Sequence, residues 1–222
     1  MSWYVRISRF LSAHMVYAQH AQNSCGIASI TMVNFKKKKG VMLAGLSAAG
    51  AVSSVPIVGS ALSSPIASAA INYAVTTETA VYGEYTKVTG SPYDGSQYSD
   101  ADNFPAVLKN LGLGDWEVYD MPANSFAATA KAATDRGSPI IARVEWTGGG
   151  AHFVVIDEFH GGYACVCDPW DGELHVVSMP TKQKVSYNAS DRIFSFSFGG
   201  TRHNYPSGNT GVFSEWIVRK KA

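Results

Sequence analysis

The strongest constraint on the fold is the distribution of strand-like segments, which are concentrated in the second half of the chain. Six segments there are rich in β-branched and aromatic residues and are separated by glycine, proline, asparagine and aspartate. They cover residues 139–146, 152–157, 163–168, 174–179, 192–198 and 212–218. The half that precedes them carries helical patterns instead. Helices followed by consecutive strands predict an α+β fold with an antiparallel sheet, rather than a wound α/β sheet.

Three segments ahead of the strands have the signals of helices. Residues 25–35 follow Asn23 and Ser24, either of which is a good N-cap residue, and carry apolar residues at helical spacing. The other two segments are 103–111, with a proline in its first turn, and 125–136, closed by a glycine. We therefore expect a helical N-terminal part.

An uncharged stretch interrupts this helical part. Residues 40–77 contain no charged side chain, are dominated by Ala, Ser, Gly and Val, and follow the four lysines 36–39. One interpretation is a membrane-inserting hairpin with a basic flank. Pro56 and Pro65 interrupt the run before about 20 apolar residues accumulate, which favours a small-residue insertion packed on the domain. We interpret the lysines as a solvated helix end.

Composition excludes several classes of protein. With 222 residues the chain can bury the core of a single domain. Its net charge of +1 argues against a general nucleic-acid binder, which needs a basic surface. Three cysteines are too few for a disulfide scaffold. Arg6 and Arg9 interrupt any apolar core of a secretory signal, so we expect a cytoplasmic protein or one exported by a dedicated secretion system.

One predicted hairpin brings together two residues of chemical interest. Strands 152–157 and 163–168 flank a loop that we predict to span residues 158–162. A five-residue loop places His152 opposite Asp168 on one face of the sheet. A carboxylate beside an imidazole orients the ring and fixes its tautomer, so the pair fits a general base.

Cys25 is the candidate nucleophile for this base. It lies in the first turn of the first predicted helix, where the helix dipole favours the thiolate. Six residues earlier, the Gln19 amide is placed to donate a hydrogen bond to a developing oxyanion, together with the Cys25 backbone N–H. Gln22 is a rival for that role, although three residues are a short span for its amide to reach round.

The remaining cysteines and histidines suggest weaker sites. Cys165 and Cys167 share a strand face, opposite that of Asp168, which predicts core packing. A metal site with His160 would need a second ligand pair, and none is evident. Asp157, the rival carboxylate, is expected at the far end of the hairpin. We expect neither a metal nor a cofactor.

Two blocks of the sequence resemble papain-like cysteine peptidases. The run QHAQNSCGIASITM, starting at Gln19, is similar to the Gln-x5-Cys-Gly-x-Ala opening of the bacterial branch, which includes bacteriocin-leader peptidase domains and effector proteases. The run GGAHFVVIDEFHGGYACVCDPWDG, ending at Gly172, is similar to the His and Asp blocks of that branch. The likeness covers residues 19–35 and about 100–180, and the Cys-Gly-[Ser/Ala]-Cys signature of lysosomal enzymes is absent.

The resemblance implies a peptidase that works through an acyl-enzyme. Cys25 would be the nucleophile, His152 the base and acid, Asp168 the orienting residue and Gln19 the oxyanion donor. The implied partners are a protein or peptide substrate and, for a toxin or effector, an immunity protein. An amidase or transpeptidase acting on cell-wall or thiol peptides is the alternative within enzymes. A membrane-active module with a vestigial triad is the alternative outside them.

Overall fold

The computed structural model describes residues 3–48, 77–170, 172–189, 196–197 and 209–222. Within these ranges the chain forms four α-helices and ten strands. The helices are α1 (Cys25–Ala48), α2 (Glu78–Thr89), α3 (Phe104–Asn110) and α4 (Phe126–Thr134). The strands are β1 (Trp3–Ile7), β2 (Ala13–Tyr17), β3 (Trp116–Asp120), β4 (Ile140–Trp146), β5 (Ala151–His160), β6 (Tyr163–Asp168), β7 (Glu173–Ser178), β8 (Ser186–Asn188), β9 (Phe196–Ser197) and β10 (Thr210–Lys220).

A large antiparallel sheet forms the centre of the described structure. Its strands follow the order β3-β10-β4-β5-β6-β7, and β8 pairs with the start of β10. Every recorded strand pair is antiparallel. The fold is α+β, as the order of helical and strand-like segments predicted.

Helices cover both faces of this sheet. On β5, Phe153 and Val155 pack into the core cluster that includes the buried side of α1. Val154 and Ile156 point the other way, into a second cluster with α4. Because both faces are covered, the middle of β5 is a continuous hydrophobic run rather than an alternating one.

A small second sheet lies at the N-terminus. It has the order β2-β1-β9, and the sequence patterns did not predict β1 or β2. Buried Arg6 on β1 donates from Nε to the Gly172 carbonyl (2.8 Å) and lies 3.0 Å from the Glu173 carboxylate. The backbone N–H of Gln19 donates to the Pro169 carbonyl (2.7 Å). These contacts hold the loop after β6 in place.

Two helical predictions need correction. Helix α1 extends to Ala48, well beyond the predicted end at residue 35, so it includes the start of the uncharged stretch. The remainder of that stretch, 49–76, lies outside the described residues, as does most of the predicted strand 192–198. Helix α2 was missed, although Thr77 caps its N-terminus and Gly90 its C-terminus. Among the described residues, no helix is both long and apolar enough to cross a membrane.

Candidate active site

Cys25 lies where helix α1 begins. Ser24 precedes it, and the Ser24 carbonyl accepts the Ala28 N–H (2.8 Å), the first hydrogen bond of the helix. The backbone N–H groups of this first turn have no acceptor within the helix, so they can bind a developing negative charge. Cys25 is largely buried, yet it lines two neighbouring surface depressions. Cys25 therefore borders a cleft at the edge of the core.

Gly26 allows this helix start to pack closely on its neighbours. A Cβ at this position would lie 2.2 Å from the Ser99 hydroxyl oxygen and 2.4 Å from a ring carbon of Phe104. Phe104 is fully buried at the start of α3. The glycine after the cysteine is thus required by packing, which fixes the position of Cys25.

The β5–β6 hairpin brings His152 and Asp168 together, but not in the predicted register. The turn is the two-residue Gly161-Gly162, because the strands pair as far as His160 and Tyr163. A bulge at Asp157 then shifts the pairing, and Val155 faces Cys167. The predicted five-residue loop, with His152 directly opposite Asp168, is wrong. The observed register differs by two residues, so both side chains stay on one face.

The two side chains meet in a buried hydrogen bond. His152 Nε2 lies 2.8 Å from Asp168 Oδ1. His152 retains 4% of its accessible surface and Asp168 none. The Cys25 thiol is close enough to His152 to contribute to the raised pKa of the ring. The three predicted residues are therefore connected in one chain of contacts.

Further donors satisfy the Asp168 carboxylate. The Trp170 backbone N–H donates to Oδ1 (2.8 Å), and the Tyr187 hydroxyl donates to Oδ2 (2.5 Å). His175 is buried nearby, with its ring 5.6 Å from that of Tyr187. Sequence reasoning missed Tyr187, because β8 is a short strand with no motif around it. The carboxylate is held by several donors and cannot rotate freely away from His152.

Electrostatics favour an ion pair between His152 and Asp168. Burial alone would lower the pKa of His152, because it disfavours the imidazolium. The Asp168 carboxylate and Cys25 outweigh this effect of burial and raise the pKa of His152 to about 10. Burial alone would likewise raise the pKa of Asp168, because it disfavours the carboxylate. His152 outweighs this effect of burial and holds the pKa of Asp168 well below its usual range. The imidazole is therefore protonated and the carboxylate ionised at neutral pH.

The cleft wall beside His152 is aromatic. The Trp146 ring stacks on the imidazole, with centroids 5.7 Å apart and planes 19° apart. Trp146 and Trp170 both line the cavity of about 250 Å³ that contains Cys25 and His152. Gly149 and Gly150 line it too, and their positive φ angles (92° and 84°) form the turn that leads into β5. The glycine-rich loop before His152 thus shapes the cleft.

Gln19 lies beside the cleft, but its amide is engaged elsewhere. Nε2 donates to the carbonyls of Ala21 and Gln22, both at 2.9 Å. Gln19 lines a neighbouring cavity with Trp170, whereas Gln22 lines the cavity that contains Cys25 and His152. The structure therefore places Gln19 in the turn that leads into α1, whereas Gln22 lines both cavities.

The other candidate residues lie away from this cleft. Cys165 and Cys167 are fully buried in the α1-side core, and burial raises the pKa of each thiol to about 12. Asp157 contacts His14 (2.7 Å) and Lys36 (2.5 Å) rather than His152. Lys36 is buried, so the interpretation of lysines 36–39 as a solvated helix end is wrong for this residue.

The architecture and the site define a class of protein. A helix that begins at a cysteine packs against an antiparallel sheet that supplies a histidine and an acidic residue, and this is the arrangement of a papain-like thiol hydrolase. The chain belongs to the Peptidase_C39 like family, whose family model matches residues 14–193. It is therefore a papain-like cysteine peptidase. No curated protein matched the chain.

Proposed function

We propose that this peptidase cleaves peptide bonds with Cys25 as nucleophile, His152 as general base and acid, and Asp168 as the residue that orients the imidazole. The observation that carries the proposal is the continuous set of contacts from Cys25 through His152 to buried Asp168. Cys165 and Cys167 are poor alternatives, because the burial that raises the pKa of each thiol leaves it protonated at neutral pH.

The reaction follows from this arrangement. The Cys25 thiolate attacks the carbonyl carbon, and the oxyanion accepts a hydrogen bond from the Cys25 backbone N–H. The His152 imidazolium gives its proton to the leaving amine, which leaves an acyl-enzyme and a neutral ring. That ring then takes a proton from water as the water attacks the thioester. Release of the acid restores the Cys25 thiolate and the His152 imidazolium.

Gln19 is proposed as the second oxyanion donor. To serve, its Nε2 must give up or share one of its two hydrogen bonds, to Ala21 or Gln22. Replacing Gln19 by alanine is then expected to lower kcat by about 10²–10³, the usual effect of losing an oxyanion donor. Gln22→Ala is the matched comparison. A larger loss from Gln22→Ala than from Gln19→Ala would assign the role to Gln22 instead.

The shape of the cleft supports an extended substrate. A depression of about 370 Å³, lined by Arg143 and Phe153 among others, lies beside the cavity of about 250 Å³ that contains His152. The two share Cys25 and Tyr98, a residue that is 80% exposed. A polypeptide can therefore occupy both sides of the sulfur at once, which favours protein or peptide substrates over small amides.

Mass-spectrometric profiling of new protein N-termini tests this substrate class. Cells that produce the wild-type protein are compared with cells that produce Cys25→Ala. We expect N-termini that appear only with the wild type and share a sequence preference around the cut. Identical profiles, together with cleavage of peptidoglycan fragments by the wild type, would instead favour the amidase or transpeptidase alternative.

We further propose that the peptidase acts as a bacterial effector or toxin, exported by a dedicated secretion system and inhibited by an immunity protein in the producer. The resemblance to bacterial effector proteases supports this role. Production of the wild type in a sensitive host should arrest growth, whereas Cys25→Ala should not. Equal growth with both proteins would contradict the proposal.

A further inference from the structure

A second cluster of reactive side chains lies away from the catalytic cleft. It comprises His14 on β2, Glu158 on β5 and Cys165 on β6, three elements that meet under the β1–β2 turn. One ligand atom from each residue can be chosen so that all three lie within 4.8 Å of one another. The proposed peptidase reaction uses none of them.

The hydrogen bonds of His14 fix which nitrogen faces this cluster. Nδ1 lies 2.7 Å from Asp157 Oδ2, so it carries a proton and donates it to that carboxylate. Nε2 points the other way, 3.3 Å from Glu158 Oε2 and 2.9 Å from the Ser12 hydroxyl. A histidine whose second ring nitrogen is held by a carboxylate is the usual form of a metal-ligating histidine.

We propose that His14 Nε2, Glu158 Oε2 and Cys165 Sγ form a binding site for a divalent metal ion of the zinc type. Nitrogen, carboxylate oxygen and thiolate sulfur together are the donors that zinc prefers. The Cys165 thiol, which is protonated in the metal-free protein, releases its proton to solvent when the ion binds. In a tetrahedral site with bonds of about 2.0–2.1 Å, neighbouring N and O ligands lie about 3.3 Å apart. The distance between His14 Nε2 and Glu158 Oε2 matches that spacing.

Lys36 makes the alternative ligand set unfavourable. His14, Asp157 and Cys167 also bring their ligand atoms within 4.8 Å. However, the Lys36 ammonium lies 2.5 Å from Asp157 Oδ2, the same oxygen that accepts from His14. A metal cation there would be repelled by the ammonium, whereas in the proposed set Lys36 is paired with Asp157, the carboxylate behind His14, and not with a ligand atom.

Neighbouring groups orient the ligands and leave a route for the ion. Glu158 is about a third exposed, and its second oxygen lies 2.7 Å from His160 Nε2. The Phe10 ring stacks on His160 at 4.4 Å, which fixes that imidazole in turn. Because Glu158 reaches the surface, an ion can enter there, and a water molecule can complete the coordination.

Cobalt(II) binding tests the site in the full-length chain. The experiment uses the Cys25→Ala protein, because the catalytic thiol and His152 are a competing pair of ligands. We expect one equivalent of Co²⁺ to give a near-ultraviolet sulfur-to-cobalt charge-transfer band, and Zn²⁺ to displace it. Adding Cys165→Ser should abolish the band, whereas the matched Cys167→Ser should retain it.

Glu158→Gln provides a second variant, at a position that is about a third exposed and with a side chain of nearly the same shape. Zn²⁺ affinity measured by calorimetry should fall at least tenfold in this variant, because a charged ligand is lost. Zn²⁺ should also raise the thermal unfolding midpoint of the Cys25→Ala protein. Absence of the cobalt band in Cys25→Ala, or its loss in Cys167→Ser but not in Cys165→Ser, would overturn the proposal.

Discussion

At the scale of single residues, the candidate site depends on a buried ion pair whose members lie 16 positions apart in the sequence. Asp168 raises the pKa of His152 because a carboxylate next to an imidazole favours its protonated form despite burial. Tyr187 and the Trp170 backbone in turn hold that carboxylate in place. Hairpin spacing in the sequence could predict that His152 and Asp168 lie on one face. It could not predict the roles of Tyr187 and the stacked Trp146, because aromatic residues are common in strands and do not by themselves indicate a functional site.

Replacing Asp168 by asparagine tests the electrostatic role of the carboxylate. The imidazolium is expected to lose its proton at lower pH, because the charge that raises the pKa of His152 is gone. The alkaline limb of the kcat/KM profile should therefore move to lower pH, and activity at neutral pH should fall by about 10–100-fold. Tyr187→Phe, which keeps the charge, is the control and should leave the limb nearly in place. Superimposable profiles of kcat/KM against pH for Asp168→Asn and the wild type would contradict the electrostatic role of the Asp168 carboxylate.

Replacing Gly26 by alanine tests how the nucleophile is positioned. The added methyl group would collide with Ser99 and Phe104, so the start of α1 must shift. We expect a loss of about 1–3 kcal/mol in unfolding free energy and a disproportionate loss of activity. Gly83→Ala, at an exposed site inside α2 with open space around its Cβ, should instead be neutral or stabilising by up to about 1 kcal/mol. Equal changes in unfolding free energy for Gly26→Ala and Gly83→Ala, measured by chemical denaturation, would contradict the proposed role of Gly26.

At the scale of elements, hairpin β5–β6 illustrates what a pattern can and cannot specify. The β-branched and aromatic composition, with the glycines between the segments, located both strands. The even spacing between His152 and Asp168 placed their side chains on one face. The loop length was wrong because strand β5 continues past a bulge at Asp157, and a bulge leaves no reliable mark in sequence. The bulge exists where Asp157 contacts Lys36 of α1 and His14 of β2, so it joins three elements.

Lys36→Met tests this connection between elements. The substitution leaves the Asp157 carboxylate without its ammonium partner in a site where both side chains are largely buried. Loss of one partner of a buried pair typically costs about 3–5 kcal/mol of unfolding free energy. Lys37→Met is the matched control, since Lys37 donates to the Gly137 carbonyl at the surface, and it should change stability by less than about 0.5 kcal/mol. Similar urea unfolding midpoints for Lys36→Met and Lys37→Met would contradict a stabilising role for the buried Lys36–Asp157 pair.

At the scale of the whole molecule, the order of elements was the most predictable property. Strand composition in the second half and helical patterns in the first were enough for an α+β fold. The papain-like fold was implied by the resemblance of the Cys, His and Asp blocks. Strands β1 and β2 were missed because their charged residues, Arg6 and His14, are buried with partners far away in the chain. Such contacts between residues far apart in the chain leave no local sequence pattern. The same contacts position the loop that carries Trp170.

The pH dependence of stability follows from the same ion pair. The pKa of His152 rises from 6.5 to about 10 on folding, so its contribution is complete below about pH 6.5 and is lost as the pH rises through 10. The pKa of Asp168 is lowered from 3.8, so its contribution is present above that value and is lost as the pH falls. The thermal midpoint should decline between pH 6.5 and 10, more in the wild type than in Asp168→Asn. Parallel curves of thermal midpoint against pH for the wild type and Asp168→Asn would contradict the ion pair.

The central claim is that the sulfur of Cys25 performs the chemistry of this peptidase. Its most direct test is the rate of peptide hydrolysis by purified wild-type, Cys25→Ala and Cys165→Ser proteins on a common denatured substrate. The account predicts no measurable turnover for Cys25→Ala, together with an acyl adduct on Cys25 when the wild-type reaction is quenched early. Cys165→Ser should retain activity. Hydrolysis by Cys25→Ala at the wild-type rate would contradict the account.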